Sequence, residues 1–456
     1  MSGHERRDGF PGRPARKTCL IVHPSRRGEG RGSSRTADAR LAEAIGLAKA
    51  IDLCVVDAEA VNVVAANPST LFGKGTVTRL AELITSRREE DAAAIDVVVV
   101  DSTLTPIQQR NLEKAWNAKV VDRTGLILEI FGERASTAEG EMQVELAALT
   151  YQKSRLVRSW THLERQRGGF GFIGGPGESQ IETDRRLIRN RIARLTRQLA
   201  QVRRTRDLHR RARRRTPYPI VALVGYTNAG KSTLFNRLTA SAVRAEDMLF
   251  ATLDPTMRAL DLPSGTRVIL ADTVGFISDL PHELVEAFRA TLEEVTEADV
   301  IVDVRDVSHP ETEAQKEDVE GVLRDLGLGR VVDSGEMLEA LNKIDALPDE
   351  ERLTLENRVA RSDGASVMLS ALTGDGCDAL IALLDRRLSQ AHRVIEVSVA
   401  PEDGATLAWL YRHGEVLARE DAADGTHVSV RLSERHAAQF AQRDEGERPA
   451  SSTAPR

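Results

Sequence analysis

The sequence has little that would suit a secreted, membrane or disulfide-rich protein. Only three cysteines occur in 456 residues, at positions 19, 54 and 377, and no two of them have metal-ligand spacing. There is no run of about 18 apolar residues, so we expect no membrane span. The polar, basic first residues lack the apolar stretch of a secretory signal. The few, widely spaced cysteines suit the reducing cytoplasm, where we expect the protein to act. We also expect it to be a monomer.

Chain length and local composition indicate several domains. The 456 residues predict roughly three domains. Both ends of the chain are rich in Gly, Pro, Ser and charged residues, so residues 1–16 and 441–456 are predicted to be disordered. The predicted fold class is α/β. An N-terminal α/β domain is expected over 17–137, a long helical hairpin over 138–216, a second α/β domain with a mostly parallel sheet over 217–391, and a small C-terminal domain of mixed α and β structure over 392–440.

Strands alternate with amphipathic helices in both α/β domains, which predicts parallel sheets covered by helices. The PSG connection at 263–265 predicts one β-hairpin in the second of them. In the helical hairpin, the first helix is expected at 138–166 and the second from Gln180 to Arg213. A glycine-dense loop from Arg167 to Ser179 joins them. In the C-terminal domain, a helix is predicted over TLAWLYRHGEVLA (406–418).

Charge is distributed unevenly along the chain. The net charge is -6, yet arginines crowd the stretch between Arg185 and Arg215, where acidic residues are scarce. An arginine-rich helix beside a glycine loop is typical of a surface that binds structured RNA. Two plainer interpretations stay open, namely a solvated helix face with ion pairs and a flexible linker.

GYTNAGKS (225–232) follows the apolar strand IVALV and precedes a helical segment, which is the context that a phosphate-binding P-loop requires. Its backbone N–H groups are expected to face phosphate oxygens at the helix N-terminus. Lys231 is predicted to neutralise the β- and γ-phosphates during hydrolysis, and Ser232 to bind Mg²⁺. The alternative is a chance match in a glycine-containing turn. The predicted nucleotide contacts here are Gly225, Tyr226, Thr227, Asn228, Ala229, Gly230, Lys231, Ser232 and Thr233.

DTVG (272–275) lies at the end of the strand TRVILAD. Asp272 is predicted to hold Mg²⁺ through water, and the Gly275 N–H to reach the γ-phosphate. FATLDPT (250–256) falls where the first switch loop is expected, so Thr252 is the candidate for a hydroxyl that binds Mg²⁺ during catalysis. An ordinary loop threonine and the rival Thr256 are the alternatives.

The motif NKID (342–345) indicates which nucleotide base the site binds. A carboxylate accepts two hydrogen bonds from guanine, whereas adenine has no 2-amino group and its N1 is an acceptor. Asp345 is therefore predicted to select guanine, with Asn342 bracing the loop and Lys343 covering the base. SAL (370–372), which is Ser370, Ala371 and Leu372, is predicted to offer a backbone N–H to guanine O6. A P-loop ATPase does not account for NKID, so the sequence predicts a GTP site.

The residue after Gly275 is Phe276, where many GTPases place a Gln that orients the attacking water. A phenyl ring cannot hydrogen-bond to water, so we expect slow intrinsic hydrolysis until a partner or a bound cation completes the site. Asn228 in the P-loop makes K⁺ a candidate for that cation.

Beyond these motifs, the sequence closely resembles the HflX family of translational GTPases, relatives of the Obg group. The resemblance covers about residues 18–390, and the tail more loosely. It rests on FATLDPT, DTVGFI and segments outside the GTPase motifs: FGKGTV (72–77), QQRNLEKAW (108–116), DRTGLILEIFGERA (122–135), QVELAALTYQKSRL (143–156) and GGPGESQIETDRR (174–186).

The resemblance implies a P-loop GTPase domain at 217–391. It also implies binding to the large (50S) ribosomal subunit and its 23S rRNA, ribosome-stimulated hydrolysis, and GTP-dependent splitting of stalled or idle 70S ribosomes. The loop from Gly168 to Ser179 would reach towards the peptidyl transferase centre. The expected RNA contacts are Arg167, Gly168, Gly169, Gly171, Gly174, Gly175, Arg185, Arg186 and Arg189.

Three departures from the family pattern stand out. Glu339 occupies a segment that is usually apolar, Ser179 stands where Thr is common, and the loop reads FGFIGG. Two other functions remain as alternatives. The protein could be a GTP-gated RNA-binding or assembly factor in which hydrolysis is secondary. The N-terminal domain could also have its own ATP site at FGKG (72–75), although that segment lacks the spacing of a phosphate loop.

Overall fold

The fold is described from a computed structural model. It covers residues 17–26, 35–89, 94–166, 176–213, 218–240, 250, 256–278, 292–361, 364–390, 392–401, 403–422, 425–433, 437 and 440. None of the helices in these ranges is both long enough and apolar enough to cross a membrane.

The N-terminal domain is a parallel sheet with helices on its faces. Its described strands are β1 Thr18–Arg26, β2 Cys54–Val63, β3 Val97–Val100 and β4 Lys119–Asp122, in the order β2-β1-β3-β4. The helices are α1 Ala37–Ala50, α2 Lys74–Glu89, α3 Pro106–Trp116 and α4 Arg123–Arg134. All four valines of β3 are buried, as expected for a strand covered on both faces. Because the pairings are parallel, the carboxyl ends of these strands share one edge.

Two long helices follow, α5 Ala138–Gln166 and α6 Pro176–Arg213. The second helix, expected from about Gln180, is present and begins four residues earlier, at Pro176. Proline suits a first helical position, where its missing N–H needs no partner. Arg191 pairs with Glu145 at 2.6 Å, so one arginine of α6 links the two helices.

The second α/β domain, the predicted GTPase domain, is built on a sheet whose described strands have the order β10-β9-β8-β5-β7-β6. These strands are β5 Ile220–Val224, β6 Thr256–Asp261, β7 Arg267–Asp272, β8 Val300–Asp306, β9 Leu338–Asn342 and β10 Ser366–Met368. The helices are α7 Lys231–Thr239, α8 Glu293–Thr296, α9 Thr312–Asp325, α10 Gly329–Asp333, α11 Asp349–Ala360 and α12 Cys377–Gln390. Strand β6 pairs antiparallel with β7 and the other pairings are parallel, so the predicted hairpin is confirmed.

The C-terminal domain contains the strands β11 His392–Val399, β12 Gly414–Ala422 and β13 Gly425–Ser433 and the helix α13 Gly404–His413. Strand β13 lies between β11 and β12 and pairs antiparallel with both. The predicted helix over 406–418 is wrong in its second half, because α13 ends at His413 and GEVLA begins β12. A Cβ at Gly414 would collide with Leu432 and Val430 of β13, so glycine permits the close strand approach there.

The N-terminal domain and the second α/β domain share one hydrophobic core. Phe131 of α4 meets Phe250 edge to face, with ring centroids 4.8 Å apart. Phe276 and Ile277, which follow the DxxG glycine, are each 1% exposed in this same core. The segment after DTVG therefore lies between the two domains rather than in solvent.

Candidate functional site

The P-loop follows the buried strand β5 and leads into α7. Gly225 has φ 141° and Gly230 has φ 97°, in the left-handed region that favours glycine. A Cβ would collide with the Val304 carbonyl at Gly225 and with the Asn342 amide at Gly230. Asn228 is also left-handed, at φ 60°, and is exposed. The two glycines are thus required by the backbone path, which presents a helix N-terminus suited to phosphate.

Lys231 lies under this loop and is only 6% exposed. Its ammonium donates to the carbonyls of Tyr226 at 2.7 Å and Gly225 at 3.1 Å. Burial lowers the pKa of Lys231 to about 8, although the nearby carboxylates of Asp272 and Asp303 act to raise it. A buried cation held by two carbonyls is well placed to neutralise phosphate oxygens.

Two hard oxygen donors meet beside Lys231. The Ser232 hydroxyl donates to Oδ2 of Asp272 at 2.7 Å, and Asp272 is fully buried at the end of β7. Hydroxyl and carboxylate oxygens suit Mg²⁺, which commonly takes few protein ligands and keeps water and phosphate oxygens. The neighbouring Thr227 is 6% exposed and Thr233 is half-buried. The pair fits a magnesium ion, whose charge would offset that of the phosphates when bound.

The DxxG segment closes over the start of the P-loop. The Thr227 N–H donates to the Phe276 carbonyl at 2.7 Å, and the Phe276 N–H donates to the Gly225 carbonyl at 3.1 Å. A Cβ at Gly275 would lie 2.9 Å from Thr227 Cα and 3.1 Å from Lys231 Nζ. Thr252 lies outside the described residues, whereas its rival Thr256 pairs with Asp272 across the β6–β7 hairpin.

Asn342 links the two loops that are predicted to hold guanine and phosphate. Its amide nitrogen donates to the Ala229 carbonyl at 2.7 Å, and its amide oxygen accepts the Ala371 N–H at 2.8 Å. Ser370 is buried, whereas Leu372 is exposed. One side chain thus links the P-loop and the SAL loop.

The remaining NKID residues lie at the surface end of this site. Lys343 has φ 69° and its ammonium pairs with Oδ2 of Asp306 at 2.7 Å. Asp345 is exposed in the short 3₁₀ helix Ile344–Ala346. An exposed carboxylate beside the braced SAL loop is available to a base that enters from solvent.

Arg237 of α7 is a residue that the sequence analysis missed. Its guanidinium donates to the carbonyls of Ala371, at 3.1 Å, and Leu372. Arg237 therefore holds the SAL backbone from α7, the helix that follows the P-loop. No motif marks this arginine, because its partners lie about 135 positions further along the chain.

The structure explains why Glu339 is tolerated in β9. Its carboxylate accepts from Lys316 at 2.5 Å, Arg305 at 3.2 Å and the Ser366 hydroxyl at 3.0 Å. Asp303 lies near this cluster with both carboxylate oxygens buried and without a hydrogen-bond partner among the described residues. Burial raises the pKa of Asp303 to about 7. Glu339 is thus part of a charged cluster, and the strands that carry it lead to the nucleotide site.

The expected RNA face is only partly described. Arg186 and Arg189 of α6 are exposed and Arg185 is half-buried. Residues 167–175, which include Arg167 and the five candidate glycines, lie outside the described residues. Ser179 falls within α6.

Four protein-family models match this chain in succession. They are "GTP-binding GTPase N-terminal" over residues 38–132, "GTP-binding GTPase Middle Region" over 134–213, "50S ribosome-binding GTPase" over 220–343 and "HflX C-terminal domain" over 354–453. A solved GTP-binding protein from Sulfolobus solfataricus, in complex with GDP, is 22% identical, covers 82% of this chain and 99% of that one, and has a TM-score of 0.42.

Relatives that match most of the chain are HflX GTPases. The GTPase HflX of Magnetococcus marinus is 57% identical over 366 residues, which cover 80% of this chain and 82% of that protein. The GTPase HflX of Escherichia coli is 44% identical over 351 residues, covering 76% and 79%. The family models and the HflX relatives show that the protein is a GTP-binding GTPase, and the chain belongs to the HflX family of GTPases.

Proposed function

We propose that this GTPase binds the large (50S) ribosomal subunit through 23S rRNA and couples GTP binding and hydrolysis to the dissociation of stalled or idle 70S ribosomes. The main support for this proposal is that a guanine nucleotide site and an exposed, arginine-rich helix belong to one chain. The match of residues 220–343 to the family described as "50S ribosome-binding GTPase" supports the same partner. Because ribosomes are cytoplasmic, the proposal implies action in the cytoplasm.

In this proposal Lys231, Gly275 and Thr252 act at the γ-phosphate, while Ser232 and Thr252 hold Mg²⁺ directly and Asp272 holds it through water. Asp345 recognises the guanine base.

The proposal also includes a monomeric state and the domain boundaries 17–137, 138–216, 217–391 and 392–440. K⁺ near Asn228 is a further part of it, and equal turnover in KCl and NaCl would count against that part.

The RNA face is proposed to lie on α6 and on the loop before it. Described arginines of α6 that are exposed include Arg186, Arg189, Arg194, Arg197 and Arg204. Arginines that contact phosphates release counterions, so this binding should weaken steeply with salt.

Sedimentation of 70S ribosomes through sucrose gradients tests the proposal. With GTP and the wild-type protein, the 70S peak should convert to 50S and 30S subunits. Arg186→Glu with Arg194→Glu should abolish this conversion at physiological salt. The matched control, Arg386→Glu with Arg387→Glu, makes the same charge change at exposed positions of α12 and should act like the wild type. A 70S peak that the wild type leaves unchanged would refute ribosome splitting.

A second candidate is a GTP-gated RNA-binding or assembly factor in which hydrolysis is secondary. The burial of Phe276 at the position of the missing Gln favours it. This candidate predicts that the protein binds 50S subunits with GTP while turnover stays slow even with ribosomes. Rapid multiple turnover in the presence of 70S ribosomes would exclude it.

A further inference from the structure

A buried polar cluster joins the N-terminal domain to the GTPase site. We define this interdomain cluster as the side chains of Arg35, Glu43, Arg123, Tyr226 and Ser278. Arg35, Glu43 and Arg123 belong to the N-terminal domain, Tyr226 is the second residue of the P-loop, and Ser278 lies three residues after the DxxG glycine. The charged members are nearly covered, with side chains that are 6%, 9% and 7% exposed.

Glu43 is the centre of the cluster. Its carboxylate accepts from Arg123 at 2.8 Å, from the Ser278 hydroxyl at 2.9 Å and from the Tyr226 hydroxyl. Arg123 also donates to the Ser278 carbonyl at 3.0 Å, and it is held from the far side by Asp101 at 2.6 Å. Hydrogen bonds to ionised groups in a buried setting are strong and directional. Ser278 is thus fixed through both its side chain and its backbone.

The Tyr226 hydroxyl extends this network into the P-loop. It accepts the backbone N–H of Ser278 at 2.9 Å and a guanidinium N–H of Arg35 at 3.0 Å while it donates to Glu43. Arg35 also lies 5.0 Å from the centre of the tyrosine ring and pairs with Asp318 of α9 at 2.5 Å. Burial and the neighbouring Glu43 raise the pKa of Tyr226, so the hydroxyl keeps its proton.

The segment that this cluster holds lies against the phosphate site. The Tyr226 carbonyl accepts from Lys231, and Gly275 is so close to Lys231 that a Cβ there would lie 3.1 Å from Nζ. A γ-phosphate that contacts both the Lys231 ammonium and the Gly275 N–H needs room between them. As placed, segment 275–278 leaves little room between them, so a third phosphate is expected to displace it, whereas the α- and β-phosphates are predicted to contact the P-loop.

We propose that Glu43, Arg123 and the Tyr226 hydroxyl are positioning residues that hold segment 275–278 against Lys231, and that this contact with the N-terminal domain disfavours GTP relative to GDP. Binding of the γ-phosphate and docking of the N-terminal domain oppose each other. By linkage the effect is reciprocal, so GTP loosens the docking to the same degree. The device requires no ribosome, and its failure would leave the proposed ribosomal function intact.

Equilibrium titration of the full-length protein with fluorescent GDP and fluorescent guanylyl imidodiphosphate tests this proposal. Glu43→Gln keeps the shape of the side chain but removes its charge. We expect it to raise affinity for the triphosphate analogue about 5- to 20-fold, the usual range of coupling between sites, with GDP affinity changed less than about twofold. Glu59→Gln is the matched control, since Glu59 accepts two hydrogen bonds from Arg79 in an exposed pair that does not include segment 275–278. It should change neither affinity.

Tyr226→Phe provides an independent variant, because it removes the hydroxyl and keeps the ring. It should shift the ratio of the two affinities in the same direction as Glu43→Gln. Thermal unfolding of each variant identifies any loss of folding, and if Glu43→Gln does not fold, Tyr226→Phe decides. An unchanged ratio of triphosphate to diphosphate affinity in a folded variant, or a ratio shifted against the triphosphate, would overturn the proposal.

Discussion

Both α/β domains of this protein carry charged residues at the carboxyl edge of a largely parallel sheet, yet the two edges are used differently. In the GTPase domain the edge ends in a glycine-bearing loop, where Lys231 lies under the P-loop and Ser232 contacts Asp272. In the N-terminal domain the edge presents Asp101 and Arg123, which bind each other and, through Arg123, residue Ser278 of the GTPase domain.

The difference lies in the backbone rather than in the charges. A left-handed glycine path at Gly225 and Gly230 permits the loop curl that exposes N–H groups to an anion. At the N-terminal edge, Asp122 instead caps its own helix by accepting the Gly125 N–H at 2.9 Å. Open carboxyl edges at a change in strand order commonly bind ligands. Here a segment of the same chain meets that edge of the N-terminal sheet.

The largest expected difference between the two edges comes from removing a buried charge at the N-terminal edge. Arg123→Ala leaves Asp101 and Glu43 buried without their shared cation, so it should destabilise the protein by about 3–5 kcal/mol. Arg267→Ala removes an exposed pair with Asp261 and should change nothing measurable. Urea unfolding of the three proteins is the measurement. Equal stability of both variants would show that the N-terminal edge does not depend on its ion pairs.

Removing the cation at the other edge should affect chemistry instead. Lys231→Ala should reduce GTP hydrolysis roughly 100- to 1000-fold, as is typical for loss of one charge-stabilising donor. The reason is that Lys231 is the buried cation under the P-loop. Steady-state phosphate release measures the effect. A loss below about tenfold would contradict the role given to this lysine.

The base specificity of the GTPase edge can be exchanged at one position. Asp345→Asn replaces an acceptor by a donor opposite the guanine 2-amino group, so GTP affinity should fall about 100-fold. Xanthosine triphosphate, which has a carbonyl at that position, should gain affinity. Competition titrations with the two nucleotides give both values. If the variant keeps the wild-type order of affinity for the two nucleotides, Asp345 does not select the base.

The smallest expected effect concerns Asp303. Burial raises its pKa to about 7, helped by Glu339 and opposed by Arg305, Lys316 and Lys231. An unfolded Asp titrates near 3.9, so the folded state binds more protons between about pH 4 and 7. Asp303 therefore costs stability progressively as pH rises through that window. The stability of Asp303→Asn relative to the wild type should therefore rise between pH 4 and 8, as measured by urea unfolding. A pH-independent difference would contradict this.

Local pattern was enough to predict the elements that form from contiguous residues. The P-loop, the β6–β7 hairpin and most of the N-terminal elements follow from apolar periodicity and glycine placement. The error over GEVLA arose because its apolar spacing suits either a helix or a strand, and contact of Gly414 with β13 decides in favour of the strand. Glu339 looked out of place because its partner Lys316 lies on another element.

Contacts between domains could not be predicted in this way. Glu43 and Ser278 are separated by 235 positions, and neither belongs to a nucleotide motif. Tyr226 was predicted as a P-loop residue, yet its hydroxyl faces the N-terminal domain, which no motif indicates. Long-range packing, rather than local propensity, determines which charges meet.

The most direct test of the functional account is GTP turnover by the purified protein alone, with 50S subunits and with 70S ribosomes, using Lys231→Ala as control. The account predicts slow turnover alone, because Phe276 cannot orient water, and at least about tenfold stimulation by 70S ribosomes that the variant lacks. The same slow rate in all three conditions would contradict a ribosome-activated GTPase.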